Sequence, residues 1–157
     1  MEKFIIVAGA HNSGKTISTN MTIMGLIDKG FKVFGYLQDN SKKKFWTLSD
    51  RQGNLYKKAG SVIVEKDGKK IIVISYGDTV NSLNKIFAQI NFDKYYAIVC
   101  CARATKGKSV YNFFHRIIGN LNLDKTQVIP IFKNFLSNHN NDNQENEQVA
   151  QFILNLL

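Results

Sequence analysis

The sequence predicts a three-layer α/β protein, with a mostly parallel sheet of about five strands, one further antiparallel strand, and helices on both faces. Two observations predict this class. Apolar runs of strand length alternate along the 157 residues with segments whose apolar positions recur at helical spacing, which is typical of a parallel sheet covered by helices. The dipeptide Asp67-Gly68 separates two β-branched runs, which indicates an antiparallel hairpin. The length suits one core, so we predict a single domain over residues 1–157.

The first strand is predicted at residues 4–8, and it runs into the glycine-rich octamer GAHNSGKT at residues 9–16. A helix should follow, because four apolar residues recur at spacings of four, three and three. They are Ile17, Met21, Met24 and Ile27. We expect this apolar face to be buried and Gly30 to cap the end of the helix. A second strand is predicted at residues 31–37.

Residues 40–60 are polar and basic and show no clear period. We interpret them as a mobile basic loop that covers a substrate, with a short helix near residues 43–48.

The second half of the chain completes the alternation. The predicted elements are a hairpin of strands 61–66 and 69–75, a helix at 79–90, a strand at 95–102, a helix at 108–121, a strand at 126–132 and a short terminal helix at 148–157. Pro130 places the last strand at an edge, since proline lacks the amide that a central strand must donate. The asparagine-rich stretch at 137–147 is predicted to be a polar linker.

The octamer fills every fixed position of the phosphate-binding pattern G-x-x-x-x-G-K-[ST]. Glycine at both ends lets the backbone turn sharply and approach an anion closely. The lysine, Lys15, can reach the β- and γ-phosphates, and the hydroxyl of Thr16 can hold Mg²⁺. The strand before the loop and the helix after it are the context that this pattern requires.

With these residues the chain resembles the P-loop NTPase superfamily, and most closely its small nucleotide and metabolite kinases. The resemblance implies a three-layer P-loop fold that binds ATP or GTP with Mg²⁺. It implies that all eight loop residues contact the nucleotide, namely Gly9, Ala10, His11, Asn12, Ser13, Gly14, Lys15 and Thr16. His11 occupies a variable position and is first of all a spacer. The guanine-selecting Asn-Lys-x-Asp pattern is absent at residues 132–135, which favours ATP over GTP.

Three further candidates follow predicted strands, where open α/β sheets bind their ligands. Asp78 resembles the acid that meets Mg²⁺ in this superfamily, although three residues separate it from its apolar run; a turn and helix cap at 77–79 is the alternative. Asp39 matches the position of an acid that deprotonates the acceptor in several metabolite kinases, or it is a turn residue. Arg103 can neutralise charge on a transferred phosphoryl, or it belongs to a solvated basic turn. The arginines of a lid are missing from residues 117–126, so Arg103, Arg116 and residues 40–60 would have to replace them.

The charge of the chain points to an anionic partner. The net charge is +9, and residues 40–70 hold nine basic and three acidic side chains. This charge is compatible with nucleic acid, but a coding bias toward Lys, Asn and Ile would produce it without any such function, so nucleic acid is the less favoured partner. Without an export signal or a long apolar run, we expect a cytoplasmic protein with no membrane partner. Cys100 and Cys101 are expected to be reduced thiols that point to opposite faces of a strand.

Together these features predict an enzyme that binds ATP and Mg²⁺ and transfers the γ-phosphoryl group to a nucleotide or a phosphorylated metabolite. Lys15, Asp39 and Arg103 are its expected catalytic residues. The alternative is a nucleotide-dependent switch or NTPase that grips a protein or a nucleic acid.

Overall fold

A six-stranded sheet forms the centre of the protein. The computed structural model describes residues 1–10, 13–37, 46–49, 55–58, 61–75, 79–103, 108–133 and 143–157. Its strands are β1 (Lys3–Gly9), β2 (Lys32–Tyr36), β3 (Trp46–Ser49), β4 (Leu55–Lys58), β5 (Ser61–Lys66), β6 (Lys69–Ile74), β7 (Ala97–Arg103) and β8 (Gln127–Phe132). Its helices are α1 (Lys15–Asp28), α2 (Val80–Phe87), α3 (Lys108–Gly119) and α4 (Asn143–Leu156), with a short 3-10 helix at Phe92–Lys94.

The strand order in the sheet is β2-β5-β6-β7-β1-β8. The pairs β6–β7, β7–β1 and β1–β8 are parallel, while β5 is antiparallel to both of its neighbours. Five strands therefore run in one direction and β5 alone runs in the other, as the alternation and the Asp67-Gly68 turn predict. Both turn residues have positive φ, which is the signature of a type I′ turn.

Strands β3 and β4 pair as a separate antiparallel hairpin. The predicted short helix near residues 43–48 is therefore wrong for residues 46–48, which are extended. The interpretation of residues 40–60 as a mobile loop falls mostly outside the described residues.

Each face of the central sheet carries its own apolar core. Alternate residues of β1 point to opposite faces: Phe4, Ile6 and Ala8 join one core, and Ile5 and Val7 join the other. Helices α2 and α3 cover the first face with residues that include Leu83, Phe87 and Phe114. Helices α1 and α4 cover the second face with residues that include Ile23, Leu26 and Ile153. The result is a helix–sheet–helix arrangement, as predicted.

Helix α1 buries a different face from the one that its apolar residues predict. The buried residues of α1 are Lys15, Ser18, Thr19, Thr22, Ile23 and Leu26. The hydroxyls of Thr19 and Thr22 donate to the carbonyls of Lys15 and Ser18 one turn earlier, so these small polar side chains can be buried without a lost hydrogen bond. The predicted apolar face is half-buried instead, and Ile17, Met21 and Met24 line an open groove of about 830 Å³ between α1 and α4.

The terminal helix begins five residues earlier than predicted. Helix α4 starts at Asn143 rather than at residue 148, so residues 143–147 of the predicted polar linker are helical. Residues 137–142 lie outside the described residues.

Strand β8 is the last strand in the sheet order and therefore an edge strand, which confirms the position that Pro130 predicts.

The two cysteines occupy opposite faces, as expected. Cys100 Sγ lies 3.6 Å from the carbonyl oxygen of Ile5, whereas Cys101 Sγ lies 3.7 Å from the hydroxyl of Thr19 on α1. Both are free thiols in the buried part of β7. Burial raises the pKa of Cys100 well above its ordinary value, and the neighbouring Cys101 raises it further.

This raised pKa predicts a loss of stability at alkaline pH. The folded state holds the Cys100 thiol protonated, whereas the unfolded chain releases that proton above about pH 8.5. The stabilisation is therefore fully present below this pH and is lost as the pH rises, by up to about 1.4 kcal/mol per pH unit. Urea unfolding between pH 7 and 10 should show this slope, and Cys100→Ala should make it shallower. An unchanged slope in the variant would show that Cys100 does not contribute.

Candidate functional site

The glycine-rich loop joins the end of β1 to the start of α1, and two glycines set its shape. Gly14 is the N-cap residue of α1 and has φ 77°, in the left-handed region. A Cβ at Gly9 would lie 2.4 Å from Ser13 Oγ, so only glycine fits there without a shift. Between them, the amide of Ser13 donates to the carbonyl of Ala10 at 3.3 Å. The described part of the loop is thus a tight turn that has no room for side chains at its fixed glycine positions.

The lysine of the loop bridges its two ends. Lys15 Nζ donates to the carbonyl oxygens of Gly9 at 3.2 Å and of Ala10 at 2.5 Å. The side chain is 6% exposed, so its amine is held inside the loop instead of extending into solvent. A lysine in this position lies next to any anion that the loop encloses.

The first turn of α1 adds a positive potential to the same place. Its N-cap makes no side-chain hydrogen bond and its first turn contains no acidic residue. The first amides of a helix have no partner within the helix, and the helix dipole places roughly half a positive charge there. This end of α1 therefore suits an anion such as phosphate.

Thr16 connects the loop to the end of β6. Its hydroxyl donates to the carbonyl of Ser75 at 2.8 Å, and the hydroxyl of Ser75 donates to Asn20 Oδ1 at 3.0 Å. Strand β7 lies between β1 and β6 in the sheet, so this hydrogen bond ties the start of α1 to a strand that is not a neighbour of β1. Thr16 is itself exposed, and its oxygen and that of Ser75 are the hard ligands that Mg²⁺ prefers.

Arg103 ends β7 directly beside the loop. Its register partner on β1 is Gly9, so the two backbones are one strand spacing apart, about 5 Å. The side chain is half-buried, and its Nε is a buried atom without a hydrogen-bond partner in the described part of the chain. Arg103 is therefore half-buried at the end of its strand and is not a fully solvated side chain.

A second unsatisfied atom lies in the loop itself. Ser13 Oγ is buried and has no partner among the described residues. Buried polar atoms normally have a partner, and an unsatisfied one costs about 1–3 kcal/mol. Ser13 Oγ in the loop and Arg103 Nε at the end of β7 are therefore two buried polar groups without a hydrogen-bond partner in the described part of the chain.

Four sequence-predicted site residues lie outside the described residues: His11, Asn12, Asp39 and Asp78. The helix cap that the sequence assigned to residues 77–79 is supplied by Thr79, whose hydroxyl accepts from the amide of Ser82 at 3.4 Å. Strand β2, which precedes Asp39, is four strands away from β1, or about 19 Å. Arg116 is also not at the loop, since it donates to Asn84 on α2 at 3.1 Å.

Three residues that the sequence analysis did not select lie against the loop. Lys133, Ser18 and Asn146 form a buried hydrogen-bonded cluster beside Gly9 and Gly14. The signals were weak: Lys133 follows the last predicted strand, and Asn146 lies in a stretch that resembles a linker. The burial of Asn146 becomes evident only in the structure, where this residue lies in the first turn of α4 and is 1% exposed.

The described residues form neither a group of metal ligands nor a helix that could cross a membrane. Among the residues that the structure describes, no three His, Cys, Asp or Glu side chains are grouped as metal ligands. None of the helices in this part of the chain combines the length and the apolar character that a membrane crossing needs.

The geometry predicts that Gly14→Ala lowers the free energy of unfolding more than the same substitution at a glycine that has a similar φ but open space around it. Alanine at φ 77° is strained by about 1–2 kcal/mol, and its Cβ would also come 2.4 Å from Asn146 Oδ1. Gly68→Ala is the matched control, because Gly68 has the same φ but nothing within 4 Å. Urea unfolding should show a larger loss for Gly14→Ala. Equal losses would show that Asn146 does not pack tightly on the loop.

Comparison with models of protein families, with characterised proteins and with solved structures finds no match to this chain. The interpretation of the site therefore depends on the residues and contacts described above.

Proposed function

We propose that this protein binds a nucleoside triphosphate, ATP by expectation, together with Mg²⁺, and transfers the γ-phosphoryl group to a small anionic acceptor. The observation that carries the proposal is the loop between β1 and α1. A left-handed Gly14, a helix N-terminus without an acid, and Lys15 folded over the loop carbonyls all meet there. This combination supports a phosphate-binding loop of the P-loop NTPase type.

Each described residue has a distinct role in this proposal. Lys15 contacts the terminal phosphates, and Ser13 Oγ and Arg103 Nε gain the partners that they lack in the described structure. Thr16 and the carbonyl of Ser75 supply oxygen atoms toward Mg²⁺, with Asp78 as a further acid of this group. The metal ion, when bound, neutralises charge on the phosphate oxygens.

The reaction exchanges one phosphorus–oxygen bond for another. The bond from the γ-phosphorus to the oxygen it shares with the β-phosphate breaks and leaves ADP, while a bond to an acceptor oxygen forms and the acceptor loses its proton. Arg103 and Lys15 stabilise the negative charge on the phosphoryl oxygens during this transfer. Asp39 is the proposed base that takes this proton, a role that requires its carboxylate to come within hydrogen-bond reach of the acceptor oxygen.

Binding can be tested with Lys15→Ala. Loss of a charge-assisted contact of about 1.5–3 kcal/mol should weaken ATP binding in the presence of Mg²⁺ by roughly 10- to 150-fold. Isothermal titration calorimetry measures this affinity. Lys125→Ala is a control, because Lys125 is exposed in the turn before β8, and β8 runs parallel to β1, so this turn and the loop lie at opposite ends of the strands. If the wild-type protein binds no ATP or GTP, with or without Mg²⁺, the proposed function is wrong.

Transfer can be tested by measuring ADP release with pools of nucleotides and phosphorylated metabolites. A kinase should release ADP faster with one pool, and Arg103→Met should lower that stimulated rate by about 10²–10³-fold, the usual effect of losing one such charge-stabilising donor. The basal ATP affinity should change less than the rate. ADP release that no pool accelerates would favour the alternative, a nucleotide-dependent switch.

A further inference from the structure

Three polar side chains from three different elements meet beneath the phosphate loop. Lys133 follows β8, Ser18 lies in the first half of α1, and Asn146 lies in the first turn of α4. Lys133 and Asn146 are each 1% exposed and Ser18 is fully buried. Polar groups with so little access to water are held in place by their partners within the protein.

Hydrogen bonds join the three side chains into one cluster. Lys133 Nζ donates to Ser18 Oγ at 3.0 Å and also to Asn146 Oδ1. Ser18 Oγ donates to the same amide oxygen of Asn146 at 3.2 Å. The backbone amide of Lys133 donates to the carbonyl of Ala8 at 2.8 Å, so the cluster is fixed to the last residues of β1.

The cluster touches the loop at both of its fixed glycines. A Cβ at Gly14 would lie 2.4 Å from Asn146 Oδ1, and a Cβ at Gly9 would lie 3.3 Å from Lys133 Cβ. Gly9 is therefore packed closely against Lys133, and Gly14 is packed closely against Asn146. The amide nitrogen of Asn146, Nδ2, is buried and finds no partner in the described part of the chain.

Helix α4 is also held close to α1 farther along. A Cβ at Gly25 would lie 2.3 Å from a methyl carbon of Leu154, which shows how closely the two helices approach. Lys29 Nζ donates to the carbonyl of Leu154 at 3.1 Å. Helix α4 therefore contacts α1 near its start, where the loop ends, and again near its C-terminal end.

Stability alone does not explain a buried lysine and a partly satisfied asparagine at this position. Well-packed apolar residues are often as stabilising as buried charged and polar groups, or more so. A cationic side chain beneath a loop that encloses anions does gain when the anion binds. We propose that Lys133 and Asn146 are positioning residues for the phosphate loop, and that through them anion binding and the docking of α4 stabilise each other; this inference rests on the proposed function.

The coupling must be reciprocal. If α4 docked through Asn146 raises the affinity of the loop for phosphate, then phosphate in the loop must stabilise the docked α4 by the same factor. A merely structural role for Asn146 would make α4 stable in the same measure with and without the ligand.

The first experiment needs no variant. Hydrogen exchange of the wild-type protein is measured with and without saturating inorganic tripolyphosphate and Mg²⁺, after calorimetry has shown whether tripolyphosphate and ATP bind. We expect the α4 amides to exchange at least about threefold more slowly with the ligand, and those of α2 to change less. Unchanged exchange in α4 with bound ligand would overturn the inference and leave the proposed function intact. Failure of the wild-type protein to bind either ligand would overturn both.

The second experiment uses variants. Lys133→Met keeps the length of the side chain, and Asn146→Leu keeps the approximate volume; each should weaken tripolyphosphate and ATP binding by about tenfold or more. Asn146→Leu should also abolish the ligand-dependent protection of α4. Gln151→Leu is the matched control on the exposed side of α4 and should behave like the wild type. Folded variants with wild-type affinity would overturn the inference; should a variant not fold, the exchange measurement on the wild-type protein decides.

Discussion

The structure depends on one constraint, the parallel pairing of β1 with a strand on each side. Strands β7 and β8 hold β1 along nearly its whole length, so the loop after β1 leaves the sheet at a fixed point and in a fixed direction. That pairing brings Arg103 level with Gly9 and lets the amide of Lys133 reach the carbonyl of Ala8. The basic groups around the loop therefore come from three strand ends that are distant in sequence, and the sheet, not the loop, determines their spacing.

The sequence predicts the elements well because their signals are local. A run of β-branched residues, an Asp-Gly pair or a glycine-rich turn each acts over a few residues, and the strands of the central sheet, the Asp67-Gly68 turn and the loop lie close to where these signals place them. The β3–β4 hairpin lies within residues 40–60, which show no clear period, and it was not predicted. The buried face of α1 was not predictable in this way. Its buried residues include the short polar side chains of Thr19 and Thr22, whose hydroxyls donate to carbonyls one turn earlier, and the spacing of the apolar residues does not reveal this.

The cluster of Lys133, Ser18 and Asn146 could not be predicted for a different reason. Ser18 lies more than a hundred residues before Lys133 and Asn146 in the chain, and each of the three resembles an ordinary surface residue in its own segment. Their burial results from the packing of α4 on α1, which no local pattern reports. In contrast, the roles of Gly9, Gly14 and Lys15 follow from the chemistry of a single turn, and the described backbone agrees with that chemistry at Gly14.

Pro130 has a consequence for association between chains. The amides of Gln127 and Lys133 donate toward the β1 side of β8, and because successive residues alternate, the nitrogen of Pro130 faces outward from the sheet. The outer edge of β8 thus lacks a donor at its centre, where an added strand would need one. A neighbouring chain therefore cannot extend the sheet with a regular hydrogen-bond ladder at this edge, the edge that adjoins β1 and its glycine-rich loop.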